Sequence, residues 1–181
     1  MEDVVRSGER LQRRSAGILL AAGVVLAGLA GCDTGTGRTM VGPVEAAMLF
    51  STVCVDPWPD AAAARAALDT LPVGAGDDAG IRNHRALKAA FAVTDPDTGK
   101  ASCSMVFVSP TPPDAGAAGL ATTFAAAVKP LVQGGQPKVM VGPGGVVVTA
   151  SLKRGSHFVL RSAGPAAGGG FTYSARTGDW P

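Results

Sequence analysis

Three runs rich in β-branched residues, closely spaced and joined by glycine turns, constrain this chain more than any other feature in it. They are Lys138 to Val141, Val146 to Leu152 and His157 to Ser162, separated by Gly142-Pro143-Gly144-Gly145 and by Lys153-Arg154-Gly155. Short apolar runs bounded by such turns predict an antiparallel meander. A second signal precedes them. Leu87, Ala89, Phe91 and Val93 alternate with Lys88, Ala90 and Ala92, and Ala101 to Val108 puts Ala101, Cys103, Met105 and Phe107 on one face. Side chains alternate across a strand, so each pattern buries one side. Asp95-Pro96-Asp97-Thr98-Gly99 lies between the two runs and favours a turn, which predicts a hairpin.

Helical spacing covers much of the remainder. Val44, Ala47, Met48 and Ser51 recur at helical intervals from Val44 to Val53, with Pro43 in the first turn, where a missing amide costs little. Asp56-Pro57-Trp58-Pro59-Asp60 interrupts the chain because its prolines remove donors and restrict the residues before them. Asp60 can cap a second helix, Ala61 to Leu71, whose buried stripe is Ala64, Leu68 and Leu71. Pro72 to Gly80 reads as a loop. Thr111-Pro112-Pro113-Asp114 reads as the start of a third helix, with threonine as N-cap and Asp114 near the positive end of the dipole. That helix runs to about Val128, burying Leu120, Phe124 and Val128, and Pro130 ends it.

The order ααββαβββ implies an α+β fold, one antiparallel sheet of about five strands with helices on one face. Phe171 to Ser174 follows a Gly-rich spacer and offers a sixth strand at the edge. Aromatic residues are 5% of the chain, and alanine fills many positions where a larger side chain would build the core. At about 25 cal/mol per Å2 of apolar burial such a core is modest, which raises the value of a covalent staple.

The first residues follow a different logic. Arg6, Arg10, Arg13 and Arg14 make a basic region, and Ala16 to Ala30 is an uncharged run of 15 residues. That run is shorter than the ~20 residues a spanning helix needs. It ends in Leu29-Ala30-Gly31-Cys32, which resembles the lipobox of bacterial lipoprotein precursors and stands at the end of the apolar run, where that motif belongs. The resemblance covers residues 1–35 and no more. It implies diacylglyceryl attachment to the Cys32 thiol, cleavage between Gly31 and Cys32, and in many bacteria further acylation of the new terminus with chains such as palmitate. Two or three such chains hold a protein stably where one does not. Asp33 resembles the inner-membrane retention signal of enteric bacteria. An ordinary cleaved signal peptide and a retained single-pass anchor are the alternatives. A twin-arginine reading of Arg13-Arg14 lacks the bulky apolar residues that should follow it.

The expected organisation is therefore a lipoprotein signal peptide (1–31), a flexible Gly-rich tether (32–42) and a single α+β domain (43–181). The protein would be held by lipid in the bacterial cell envelope, facing the periplasm or the exterior. With Cys32 lipidated, Cys54 and Cys103 remain, and export places them in an oxidising space, so they are expected to pair. Neither has a CxxC partner or a histidine at ligand spacing, which argues against a redox or metal pair.

A net charge of +2 is too balanced for a nucleic-acid binder that relies on phosphate neutralisation. GxSxG, HExxH, the Walker P-loop and the EF-hand pattern are absent from the sequence, and Gly142 to Gly145 reads as a hairpin turn instead of a phosphate cradle. The two histidines, His84 and His157, would need a carboxylate such as Asp95 or Asp97 to form a metal site, and no spacing brings them together. Arg82-Asn83-His84-Arg85 could receive a phosphate or carboxylate, the plainer reading being a solvated loop-to-strand face beside Asp77-Asp78. Lys153, Arg154 and Arg161 form a second basic patch suited to anionic headgroups or a cell-wall polymer. Glu45, the sole glutamate after Cys32, is expected on a solvent-facing helix side, and Trp58 as a plug over the core, with ligand stacking as its rival role. The expected function is binding of an envelope protein or cell-wall partner, without catalysis, cofactor or nucleic acid. The rival is a small envelope hydrolase using His84 or His157 with an aspartate.

Overall fold

The structure, a computed structural model, describes residues 37–76, 78, 80–94, 101–142 and 145–178. Pro43 opens helix α1 (Pro43–Phe50), which widens into a π-helical turn at Ser51–Val55. The side turned to the core carries Ala46, Ala47, Phe50, Val53 and Cys54, whereas Val44 and Met48 are 62% and 65% exposed. The expected stripe of Val44, Ala47, Met48 and Ser51 is thus rotated. Phe50 is the largest apolar side chain of the segment and takes the core position, and the π turn carries Val53 and Cys54 round to the same side.

Asp60 caps α2 (Ala61–Asp69), its carboxylate accepting the amides of Ala62 and Ala63, each at 2.9 Å. Ala64 and Leu68 are buried as expected, with Leu71 half-buried beyond the helix end.

Four strands follow, β1 (Val73–Ala75), β2 (Ile81–His84), β3 (Ala89–Thr94) and β4 (Ser102–Ser109). Helix α3 (Ala118–Val128) then crosses to β5 (Lys138–Gly142), β6 (Gly145–Ser151), β7 (His157–Pro165) and β8 (Phe171–Gly178). They form one antiparallel sheet of eight strands in the order β1-β2-β3-β4-β8-β7-β6-β5.

The α+β class and the antiparallel sheet stand, but the strand count of about five does not. β1 falls within the expected loop, and β2 where a solvated loop-to-strand face was expected. Their sequences, VGA and IRNH, carry no apolar alternation, and what makes them strands is the pairing of β2 with β3 and of β1 with β2. The segment expected at the edge, β8, is instead central and joins the two meanders. Its buried members, Tyr173, Ala175 and Thr177, include a small and a polar residue, which makes its pattern faint in sequence.

Helix α3 starts later than Thr111, after a 3-10 turn at Ala115–Ala117. The Asp114 side chain accepts the Gly116 amide at 3.1 Å, and the Thr111 carbonyl accepts the Tyr173 hydroxyl at 2.7 Å. Leu120, Phe124 and Val128 are fully buried, as their spacing implied.

One face of the sheet and the helices enclose the core. Phe124 lies 5.7 Å from both Phe50 and Phe107 and 6.4 Å from Phe158, ring centre to ring centre, while Phe107 lies 5.5 Å from Tyr173. Two helices and three strands therefore meet through one aromatic cluster. Beside it Cys54 and Cys103 form a disulfide, with Cα atoms 5.4 Å apart, that ties the π turn after α1 to β4. Among the described residues no helix is long and apolar enough to cross a membrane.

Candidate binding surface

The side chains that alternate with the core residues make up the second face of the sheet. Registry places Ser104 beside Arg176, Arg176 beside Val159, Ser174 beside Arg161, and Thr149 beside Lys138. Neighbours in such pairs sit roughly 4.5–5.5 Å apart at Cβ. Lys138, Arg161 and Arg176 are exposed, and His157 lies on the same face at the start of β7. None of the eight strands contains an aspartate or a glutamate. Across β5 to β8 this face thus exposes basic and hydroxyl side chains, whereas across β3 and β4 it is apolar and buried at Ala90, Val106 and Val108. No carboxylate within the sheet competes for the guanidinium groups.

The second basic patch is brought together only partly. Lys153 and Arg154 occupy a 3-10 turn between β6 and β7, and the Lys153 ammonium donates to the Pro130 carbonyl at 3.1 Å. Arg161 projects from the middle of β7. Arg176 and Lys138, which the sequence reading did not single out, join it on that face. The signal for Arg176 is the alternation of Thr172, Ser174 and Arg176, which is recognisable once β8 is known to be a strand.

The first basic cluster is dispersed. Arg82 turns to the helix side, its guanidinium 3.9 Å from the Asp69 carboxylate, with both side chains about half exposed or more. An ion pair so exposed contributes little. The expectation of a solvated face fails at His84, which is only 6% exposed. Its Nδ1 accepts the amides of Ala86 and Leu87 at 3.2 and 3.1 Å, and burial lowers its pKa against the opposing pull of Glu45. A neutral imidazole that organises the turn after β2 offers no charge to an anion. Arg85 is exposed beyond the strand end, and its amide donates to the Pro72 carbonyl at 2.8 Å.

Trp58 is half-buried against the core, its indole N–H donating to the Ser156 hydroxyl at 3.1 Å, consistent with a plug. Burial, with a smaller push from Asp114, raises the Tyr173 hydroxyl to about 12, so it serves as a donor at any physiological pH. No group of three or more His, Cys, Asp or Glu able to hold a metal occurs among the described residues. Cys32, Asp77, Asp95 and Asp97 lie outside the described residues.

The approach of the N-terminal segment orients this surface. The Thr39 amide donates to the Ala86 carbonyl at 2.9 Å, the Lys88 amide to the Thr39 carbonyl at 2.8 Å, and the Val41 amide to the Val108 carbonyl at 2.8 Å. Fixed structure thus begins before Pro43, within the stretch expected as a tether. Met40 packs over Gly170, where a Cβ would fall 2.8 Å from its sulfur and from the Ser109 carbonyl oxygen. The segment therefore reaches the sheet where β4 ends and β8 begins. Arg176, five residues along β8 from Phe171, stands ~17 Å from that end. The chain matches no protein-family model, no curated protein and no solved structure.

Proposed function

We propose that this protein is a lipid-anchored, disulfide-stapled component of the bacterial envelope that binds an anionic cell-wall polymer through the basic part of the sheet's second face. The observation that carries the reading is the charge segregation: eight strands without an acidic residue, and Lys138, Arg161 and Arg176 exposed together on one face. Thr149 and Ser174 beside them supply short hydroxyl donors for phosphate or carboxylate oxygens. The Leu29-Ala30-Gly31-Cys32 motif supports the anchor. A tether meeting the opposite end of the sheet favours a partner on the far side from the bilayer over the headgroups beneath it.

The test uses the full-length protein in nanodiscs, mixed with isolated cell-wall sacculi carrying their anionic polymers. Cosedimentation is expected to weaken as salt rises and to fall by at least about tenfold in affinity in the R161E/R176E variant. Sacculi stripped of those polymers should not retain the protein. Equal retention by stripped sacculi, or of the natural protein and the R161E/R176E variant alike, would overturn the reading, and so would polymer cleavage that depends on His84 or His157. Intact-mass measurement of the membrane fraction checks the anchor, with an unacylated Cys32 counting against it.

A further inference from the structure

Among the described residues, one margin of the sheet carries no further strand, and β5 there pairs only with β6. Val139, Met140 and Val141 of β5 are 45%, 57% and 42% exposed. An unpaired edge presents free amides and carbonyls, and natural proteins blunt apolar edges by shortness, proline, bulges or charge. The opposite margin follows that rule, since β1 has three residues with Gly74 at its centre. β5 has five, pairs with β6 without a bulge, and carries its one charge, Lys138, at its first position.

We infer that β5 pairs with β5 of a second copy of this chain, antiparallel, about a two-fold axis through Met140. Symmetry then fixes every contact: Met140 faces Met140, Val139 faces Val141, and Lys138 faces Gly142. Apolar residues meet apolar residues, and the lysine meets a glycine instead of another lysine, so no like charges stand directly opposite. The backbone agrees as well. Alternate residues of an edge strand turn their amide and carbonyl outward, and an axis through one residue pairs positions an even number apart. Outward groups therefore meet outward groups whichever set is outward.

The axis is perpendicular to the sheet, so both helix layers lie on one side of the joined sheet. α3, which packs against β5 and β6, would approach its counterpart over the valines of the seam. Its exposed residues Ala118, Gly119, Thr122 and Ala126 are small and uncharged and permit close approach. On the other side the two basic faces become continuous, so a polymer can engage both sets of Arg161 and Arg176. The dimer stands whatever that face binds.

Full-length protein carrying Met140→Cys, in its native membranes, tests this by mild oxidation and a non-reducing gel. The expected result is a reducible dimer of the chain, with none from Met48→Cys, a position on α1 more exposed than Met140. Adding V139K and V141K should abolish the dimer while the Cys54–Cys103 bond stays intact by mass. Adding R161E and R176E should leave it, which separates this pairing from the polymer reading. Failure of M140C to cross-link, equal cross-linking by M48C, persistence with both lysines, or capture of a protein of another mass would each overturn it.

Discussion

His84 carries chemistry of a different kind from its arginine neighbours. Burial favours the neutral imidazole, and its Nδ1 must stay unprotonated to accept the Ala86 and Leu87 amides. Because its folded pKa lies below the unfolded value near 6.5, the unfolded chain binds more protons as pH falls. The stability this arrangement supplies is complete above about pH 6.5 and is lost as pH drops through the folded value. An H84N variant keeps an acceptor at similar reach but does not titrate. Urea midpoints measured between about pH 7.5 and pH 5.5 should fall less in the variant than in the natural chain. Parallel curves would exclude this role. In sequence His84 is indistinguishable from a surface histidine among arginines, because its burial is set by the folded chain and not by its flanking residues.

Elements were legible wherever one side chain period repeated without interruption. The β3–β4 hairpin, β6, β7 and the stripes of α2 and α3 follow directly from Phe91, Met105, Val148, Leu160, Leu68 and Phe124. Asp60 was equally plain, since an aspartate directly after proline and before an alanine run suits no role better than a cap. Asp60→Ala should cost about 1 kcal/mol, within a range of roughly 0.5–2 kcal/mol, in chemical denaturation, whereas Asp60→Asn should cost much less. Equal losses from both would show that charge, and not the acceptor geometry, holds the end of α2. The α1 stripe was misread because Val44 and Met48 keep helical spacing yet lose the core to Phe50. β1 and β2 gave no signal of their own, because neighbouring strands supply their hydrogen bonds and their own side chains supply little burial.

At the scale of the molecule the disulfide closes a separation of 49 residues and fastens the helix layer to the middle of the sheet. Its removal in C54A/C103A should lower unfolding stability by up to ~4 kcal/mol, less where the unfolded chain keeps residual structure. The loss should appear as a lower urea midpoint and a lower melting temperature, with reduction of the natural protein reproducing it. No change in either would mean that the aromatic cluster around Phe124 alone secures the helices.

The amino-acid order alone set the local alternations, the glycine turns, the helix cap and the pairing of two cysteines, since each depends on near neighbours or on a count. Tertiary structure decided which strands lie side by side. β8 comes last in the chain yet sits between β4 and β7, and that placement alone puts Arg176 within reach of Arg161 and leaves β5 at the margin. Hydrogen-bonded register between distant segments has no signature in composition or spacing, because it is chosen by the shared burial of Phe107, Tyr173 and Leu160 once the whole chain has come together.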